Sequence, residues 1–118
     1  MRKGSRRIIV SDIGEINLLY WEICGTLQWC ISLKELSKIL GMQYRPSQII
    51  SRLSEENWNV VTRDEFEGTS IWDYDELFSG HLQYLINIEG LKEILLTSKK
   101  KNRKKFLKVT KDILENIE

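Results

Sequence analysis

Arginine and glutamine are the side chains best shaped to read a base edge, because a guanidinium bonds bidentately to guanine and a carboxamide to adenine. Tyr44, Arg45, Gln48 and Arg52 bring both types together in one short stretch that also holds Ser47 and Ser51. A second population is purely cationic: Lys99, Lys100, Lys101, Arg103, Lys104, Lys105, Lys108 and Lys111 crowd the C-terminal region. Each phosphate that such a side chain neutralises releases condensed counterions, which supplies sequence-independent affinity for nucleic acid. Blander uses exist for both groups. Arg45 could cap a turn, Arg52 could pair with Glu55 or Glu56 one helical turn on, and a lysine run serves equally as a solvated helix face or a nuclear-targeting signal.

Catalytic chemistry has little to stand on. His81 is the single imidazole, in a Gly80-His81-Leu82 turn, and no serine, cysteine or carboxylate around it has the spacing of a triad or dyad. Neither a GxxxxGK loop nor a GxGxxG turn is present to cradle phosphate. Asp73 and Asp75 lack the glycine and terminal glutamate of a calcium loop. Two cysteines and one histidine do not make a four-ligand zinc site, so Cys24 and Cys30 are expected as buried free thiols. The expectation is a non-enzyme without cofactor or metal.

The elements that would position the polar stretch are legible around it. Ser32 can cap a helix whose Glu35 returns a bond to the Ser32 amide, and Leu33, Leu36, Ile39 and Leu40 share one face. Gly41 ends it. Pro46 suits the first turn of a second helix through Leu53, with Ile49, Ile50 and Leu53 as its inner stripe and Gln48, Ser51 and Arg52 outside. This is the arrangement by which DNA-reading proteins present a helix to the major groove, although the Met42 to Arg45 connection is longer than in the tightest versions. An ordinary helical hairpin burying its leucines has the same pattern.

Before this pair, Ile16 to Cys24 and Gln28 to Ile31 flank Gly25-Thr26 as a β-hairpin. After it, Trp58 to Thr62 reads as a strand, Arg63 to Ser70 as an acidic loop, and Ile71-Trp72 and Gln83 to Ile86 as short strands around Ser79-Gly80. Asn87 caps a helix to about Leu96, and Lys101 to Ile117 forms a last one with Phe106, Val109, Ile113 and Ile117 at helical spacing. Trp29, Trp58, Trp72 and Phe106 are expected as core aromatics. The basic, glycine-containing stretch 1–7 is expected as a flexible arm, whose Arg2, Lys3, Arg6 and Arg7 could reach a minor groove, and 8–118 as one domain.

A chain of 118 residues, 42% hydrophobic, suits one domain with a real core. No apolar run approaches a membrane span and the basic N-terminus lacks a signal-peptide core, so an intracellular protein without a membrane partner is expected. Alanine is absent while isoleucine, lysine and asparagine abound, the bias of an AT-rich coding genome. Net charge is only +1, but Glu55, Glu56, Asp64, Glu65, Glu67, Asp73, Asp75 and Glu76 gather in the middle of the chain, away from the C-terminal lysines.

The segment 86–106, INIEGLKEILLTSKKKNRKKF, resembles the closing segment of the Bro-N domain: an Asn-Glu-x-Gly-Leu turn, an amphipathic helix, Ser-Arg-Lys and Ala-Lys-Lys-Phe. Asn87, Gly90, Leu91, Ser98, Lys99, Lys100, Lys104, Lys105 and Phe106 fall on matching positions without a gap. Upstream, Leu40-Gly41 match the family's Leu-Gly, Glu35-Leu36 stand at its Asp-Val, and Pro46, Ser47, Ile50 and Arg52 match Pro-Ser-x-x-Ile-x-Arg. Trp29 resembles the aromatic before the first helix. Lys101 and Arg103 replace the family's Pro and Ala, its Trp after the Phe is missing or replaced by Val109, and Leu114-Glu115 stand for Leu-Pro.

The resemblance implies a DNA-binding α+β domain of the kind found near the N-termini of proteins of large insect DNA viruses and of phage antirepressors, related to KilA-N. With the residues, it leads to one expectation: a small sheet with a helix-turn-helix-like pair and two C-terminal helices, binding double-stranded DNA in a regulatory protein. Tyr44, Arg45, Gln48 and Arg52 would read bases with Ser47 and Ser51 beside them on the DNA-binding surface, while Lys99, Lys100, Lys101, Arg103, Lys104, Lys105 and Lys108 hold phosphates. The setting would be host nucleus or cytoplasm for a virus and bacterial cytoplasm for a phage. A protein-interaction module, such as an antirepressor binding a repressor through the acidic 55–76 segment, is the alternative. The oligomeric state stays open, a homodimer included.

Overall fold

The computed structural model describes residues 2–62, 64–65, 82–97 and 100–117, the side chains of 100–102 excepted. The expected strands at Ile71-Trp72, the turn at Ser79-Gly80, His81, Trp72 and most of the acidic loop lie outside the described residues. The architecture is α+β. Strands β1 (Arg6–Ser11), β2 (Gly14–Ile23) and β3 (Thr26–Ser32) lead into helices α1 (Leu33–Leu40) and α2 (Pro46–Ile50), then a 3-10 turn (Glu55–Asn57), β4 (Trp58–Thr62), β5 (Leu82–Asn87), α3 (Ile88–Thr97) and α4 (Lys100–Asn116). All pairings are antiparallel, in the order β1-β2-β3-β5-β4.

The expected hairpin forms β2 and β3, turning at Cys24-Gly25 with φ +52° and +79°. Two successive positive φ values give a turn whose twist matches that of the strands. Cys24 therefore sits at an exposed turn and not in the core, which corrects the expectation of two buried thiols; Cys30 is buried, and both are free. Burial pushes the Cys30 thiol up to about 12, against a smaller lowering from its contact with the Trp21 carbonyl. It is an inert packing group.

Residues 4–7 are paired to β2 and do not stand off as an arm. Arg6 and Arg7 belong to β1, Gly4 donates to the Tyr20 carbonyl at 2.7 Å, and Tyr20 donates to Ser5 at 2.8 Å. Pairing to β2 satisfies these backbone groups, and local composition does not reveal a partner twelve or more residues away.

Strand alternation divides the buried side chains between the two faces. On one, Ile9, Ile16, Leu18, Ile31 and Ile86 pack with Leu33, Leu36 and Leu40 of α1, Leu91 and Ile94 of α3, and Phe106, Val109 and Ile113 of α4. On the other, Leu19, Trp21, Ile23, Cys30, Val61 and Leu85 form a second cluster. Of the aromatics expected in the core, Phe106 is fully buried, whereas Trp29 and Trp58 are half-buried.

Ser32 caps α1 as expected, accepting from the Glu35 amide at 3.0 Å. The reciprocal bond does not form. Ser32 itself lies in the β3–β5 ladder, and the Glu35 carboxylate accepts instead from Asn17 N at 3.1 Å and Asn17 Nδ2 at 2.6 Å. Asn17 Oδ1 in turn accepts from Arg6 at 2.9 Å. Burial holds the Glu35 carboxyl above its ordinary value, partly offset by the Asn17 bonds and Arg6. Gly41 closes α1 at φ +65°, donating to the Lys38 carbonyl, and Met42 donates to Ser37. A side chain is strained there although there is open space for it. Gly41→Val is expected to lower stability by about 1–2 kcal/mol, read as a fall in thermal midpoint; an unchanged midpoint would remove the left-handed cap from the account of this turn.

Candidate nucleic-acid interface

The site begins where α1 stops. After Gly41 the chain passes without regular structure through Gln43 and Tyr44 to Arg45, which takes the position before α2 with φ −133° and makes no side-chain capping bond. The Arg45 guanidinium is therefore not spent on the turn. Pro46 starts the helix, where its missing N–H is one of the donors a first turn leaves unbonded anyway. The helix is shorter than the expected 46–53: it ends at Ile50, and Arg52 and Leu53 donate to Ile49 and Ile50 in tighter i, i+3 turns. The Ser51 hydroxyl donates to the Gln48 carbonyl at 2.7 Å, a local bond that competes with helix continuation. No residue of α2 is fully buried, so packing does little to extend it.

Ile49, Ile50 and Leu53 rest half-buried on the helix-side core, with Met42 beside them. Ile49 and Met42 border a shallow gap completed by Leu36, Ser37 and Leu40 of α1, Ile94 of α3 and Phe106 of α4. All six residues expected on the outer surface are exposed: Tyr44, Arg45, Ser47, Gln48, Ser51 and Arg52. Among the described residues no ion pair joins Arg52 to Glu55 or Glu56. Tyr44 is 38% exposed, and desolvation, with nearby Tyr84 as a smaller influence, raises its phenol above the usual value.

Sequence reasoning missed what anchors the far end of this segment. Glu93 of α3 accepts from Ser54 N at 3.1 Å, Ser54 Oγ at 2.9 Å and Asn57 Nδ2. These bonds hold the Glu93 carboxyl below its ordinary value, the Asn57 contact contributing most. Asn87 accepts from Gly90 N at 2.8 Å, the expected cap of α3, and donates to Gln28 at 3.0 Å. Gly90 lies so close to the Asn57 carbonyl that a Cβ would come within 3.0 Å. The polar residues following α2 are thus tied to α3 and the sheet.

The C-terminal basic residues divide. Lys99 and the side chains of Lys100 and Lys101 lie outside what is described. Arg103, Lys104 and Lys105 are exposed on the early turns of α4, next to Phe106, which lines the same gap as Ile49 of α2.

Lys108 behaves differently. Its ammonium lies 3.3 Å from Asp112 and 3.7 Å from Asp12, and its pKa is raised chiefly by Asp112. Lys111 pairs with Glu115 at 3.9 Å. Asp112 is itself fixed by the Ser11 hydroxyl at 2.5 Å. Lys108 is thus drawn toward the β1–β2 turn.

Compared with models of protein families, with curated proteins and with solved structures, the chain matches none. The site is therefore read from its own geometry. Exposed Gln48 on α2 and exposed Arg45 and Arg52 flanking it can donate hydrogen bonds to acceptors on a groove or phosphate surface, and Arg103, Lys104 and Lys105 are three further exposed cations on α4. Of the basic residues near the N-terminus, Arg6 bonds Asn17, Lys3 stacks over Trp21 at 4.6 Å and pairs with Glu22 at 3.9 Å, and Arg7 lies 6.0 Å from the Trp29 ring. Among the described residues no cluster of His, Cys, Asp or Glu could hold a metal ion, and no helix is long and apolar enough to cross a membrane.

Proposed function

We propose that this protein is a non-catalytic, double-stranded-DNA-binding domain of a viral or phage regulatory protein, similar to Bro-N. The observation that carries the reading is the surface of the α1–α2 unit. Its six polar residues all face solvent, on an element whose inner side alone contacts the core. Tyr44, Arg45, Gln48 and Arg52 serve as the base-reading group, with Ser47 and Ser51 at its edges. Arg103, Lys104 and Lys105 supply phosphate contacts, and Lys99, Lys100 and Lys101 extend the same basic run in sequence. Lys108, committed to Asp112 and Asp12, contributes less than its neighbours.

Salt dependence tests this directly. Binding to random-sequence duplex, followed by fluorescence anisotropy over a range of salt, should weaken linearly in log–log form. Lys104→Ala with Lys105→Ala should flatten the slope by about 0.9 for each phosphate no longer neutralised. Lys108→Ala should change the slope less than either. A slope unaltered by the paired substitution would place the nucleic-acid surface elsewhere, and no retention on duplex at low salt would favour the protein-interaction module.

A further inference from the structure

Among the described residues β1 is a terminal strand of the sheet, and its outer edge carries features of a pairing surface. The turn Asp12-Ile13 closes on the pair Ser11–Gly14. In a two-residue hairpin that closing pair exchanges both backbone bonds, so Ser11, Ile9 and Arg7 direct theirs to β2. The bond from Tyr20 N to the Ser5 carbonyl continues the same odd-numbered series. Ile8 and Val10 consequently turn their N–H and C=O outward.

Their side chains add to this. Ile9 points into the helix-side core at 4% exposure, while Ile8 and Val10 project from the opposite face at 46% and 81%. The other terminal strand, β4, is treated differently: Asn59 Oδ1 accepts from the Val60 amide at 2.8 Å, and Asn59 Nδ2 donates to the Glu22 carbonyl at 2.8 Å. Side-chain bonds of that kind blunt an edge against further pairing. Ile8-Ile9-Val10 carries no charge or proline to do so.

We propose that β1 pairs antiparallel with β1 of a second copy of this chain, about a two-fold axis normal to the sheet at Ile9. An isologous contact demands a surface complementary to itself. The order Arg6, Ile8, Val10, Asp12 meets that demand: reversed against itself about Ile9, it sets Ile8 opposite the partner's Val10 and Arg6 opposite the partner's Asp12. The Asp12 side chain is 93% exposed, so it can meet the partner's Arg6 from solvent while Lys108 stays 3.7 Å away, and Arg6 keeps its bond to Asn17 Oδ1 at 2.9 Å. Centring the axis on Ile8 instead would oppose Arg6 to Val10 and leave both charges unmatched. The axis normal to the sheet also keeps the helices of both copies on one side, so the two five-stranded sheets join as one. This pairing stands apart from the DNA reading and does not depend on it.

Sedimentation equilibrium of the full chain tests the association. Between about 1 μM and about 1 mM, a span of roughly 4 kcal/mol in binding free energy, the mass should climb from 14.0 kDa towards twice that value. Val10→Lys, at an exposed position that leaves the core untouched, should shift the midpoint concentration upward at least ten-fold. Asp12→Arg alone should weaken association, and combining it with Arg6→Asp should recover it.

Register is tested by cross-linking in a Cys24→Ser background. An equimolar mixture of Ile8→Cys and Val10→Cys chains should oxidise to a mixed disulfide dimer, because directly opposed residues lie about 5.5 Å apart at Cα. A constant 14.0 kDa mass over the whole range, or association indifferent to Val10→Lys, would overturn the proposal. So would disulfide dimers forming as readily from either variant alone as from the mixture.

Discussion

Phe106→Ala is expected to remove about 3–5 kcal/mol of stability, enough to unfold a domain of marginal stability at modest denaturant concentrations. The ring is completely buried, and it stands where four helices meet: it borders Leu36 and Leu40 of α1, Ile49 of α2 and Ile94 of α3. Deleting it forfeits transfer free energy and leaves a cavity that α2, with no fully buried residue of its own, is poorly placed to fill by collapse. Leu107, the next residue, is 53% exposed and is the control. Leu107→Ala should stay within about 0.5 kcal/mol of the parent. Urea unfolding monitored by circular dichroism measures both. If Leu107→Ala proved the costlier of the two, α4 would have to be rotated by about 100°, and the exposed positions of Lys104 and Lys105 would go with it.

That register is legible in the sequence because it rests on local repetition. Phe106, Val109 and Ile113 recur on one face of a helix whatever else the chain does, the Ser32 and Asn87 boundaries depend on side chains three residues from the amides they satisfy, and the Gly41 boundary on a left-handed backbone that glycine adopts freely. The order of strands depends on partners far along the chain. Nothing near Arg6 shows that it will lie opposite Leu19, so a stretch rich in arginine and glycine reads as an arm until β2 is there to pair with it.

The same distinction explains the polar network. Glu35 has two suitors for its carboxylate, the local Ser32 amide and the distant Asn17. It accepts from Asn17, whose backbone and side-chain amides both reach it. At the candidate interface the outward direction of Gln48 follows from helical spacing, whereas Arg45 precedes the helix and Arg52 lies in the turns that follow it. The Glu93 clamp on Ser54 and Asn57, and the diversion of Lys108 to Asp12, come from tertiary contacts between residues with no sequence relation.

Base reading predicts a loss confined to one sequence, and this separates it from charge attraction. With a preferred site selected from a random-duplex pool, Arg45→Ala, Gln48→Ala and Arg52→Ala should each weaken binding to that site by about 1–3 kcal/mol where the side chain bonds a base bidentately, or roughly five- to 150-fold. On a scrambled duplex Gln48→Ala should change affinity hardly at all, since an uncharged carboxamide adds nothing to counterion release. The arginines should show a smaller general weakening beneath the specific one, because their charge acts on any phosphate. All three side chains are exposed and Arg45 makes no capping bond, so the substitutions should leave the thermal midpoint within a degree or two. Equal losses on both duplexes would reduce these residues to phosphate contacts and make the domain a reader of shape or charge. No loss on either, with the fold intact, would leave the Pro46–Ile50 helix as packing alone and turn attention to a protein partner.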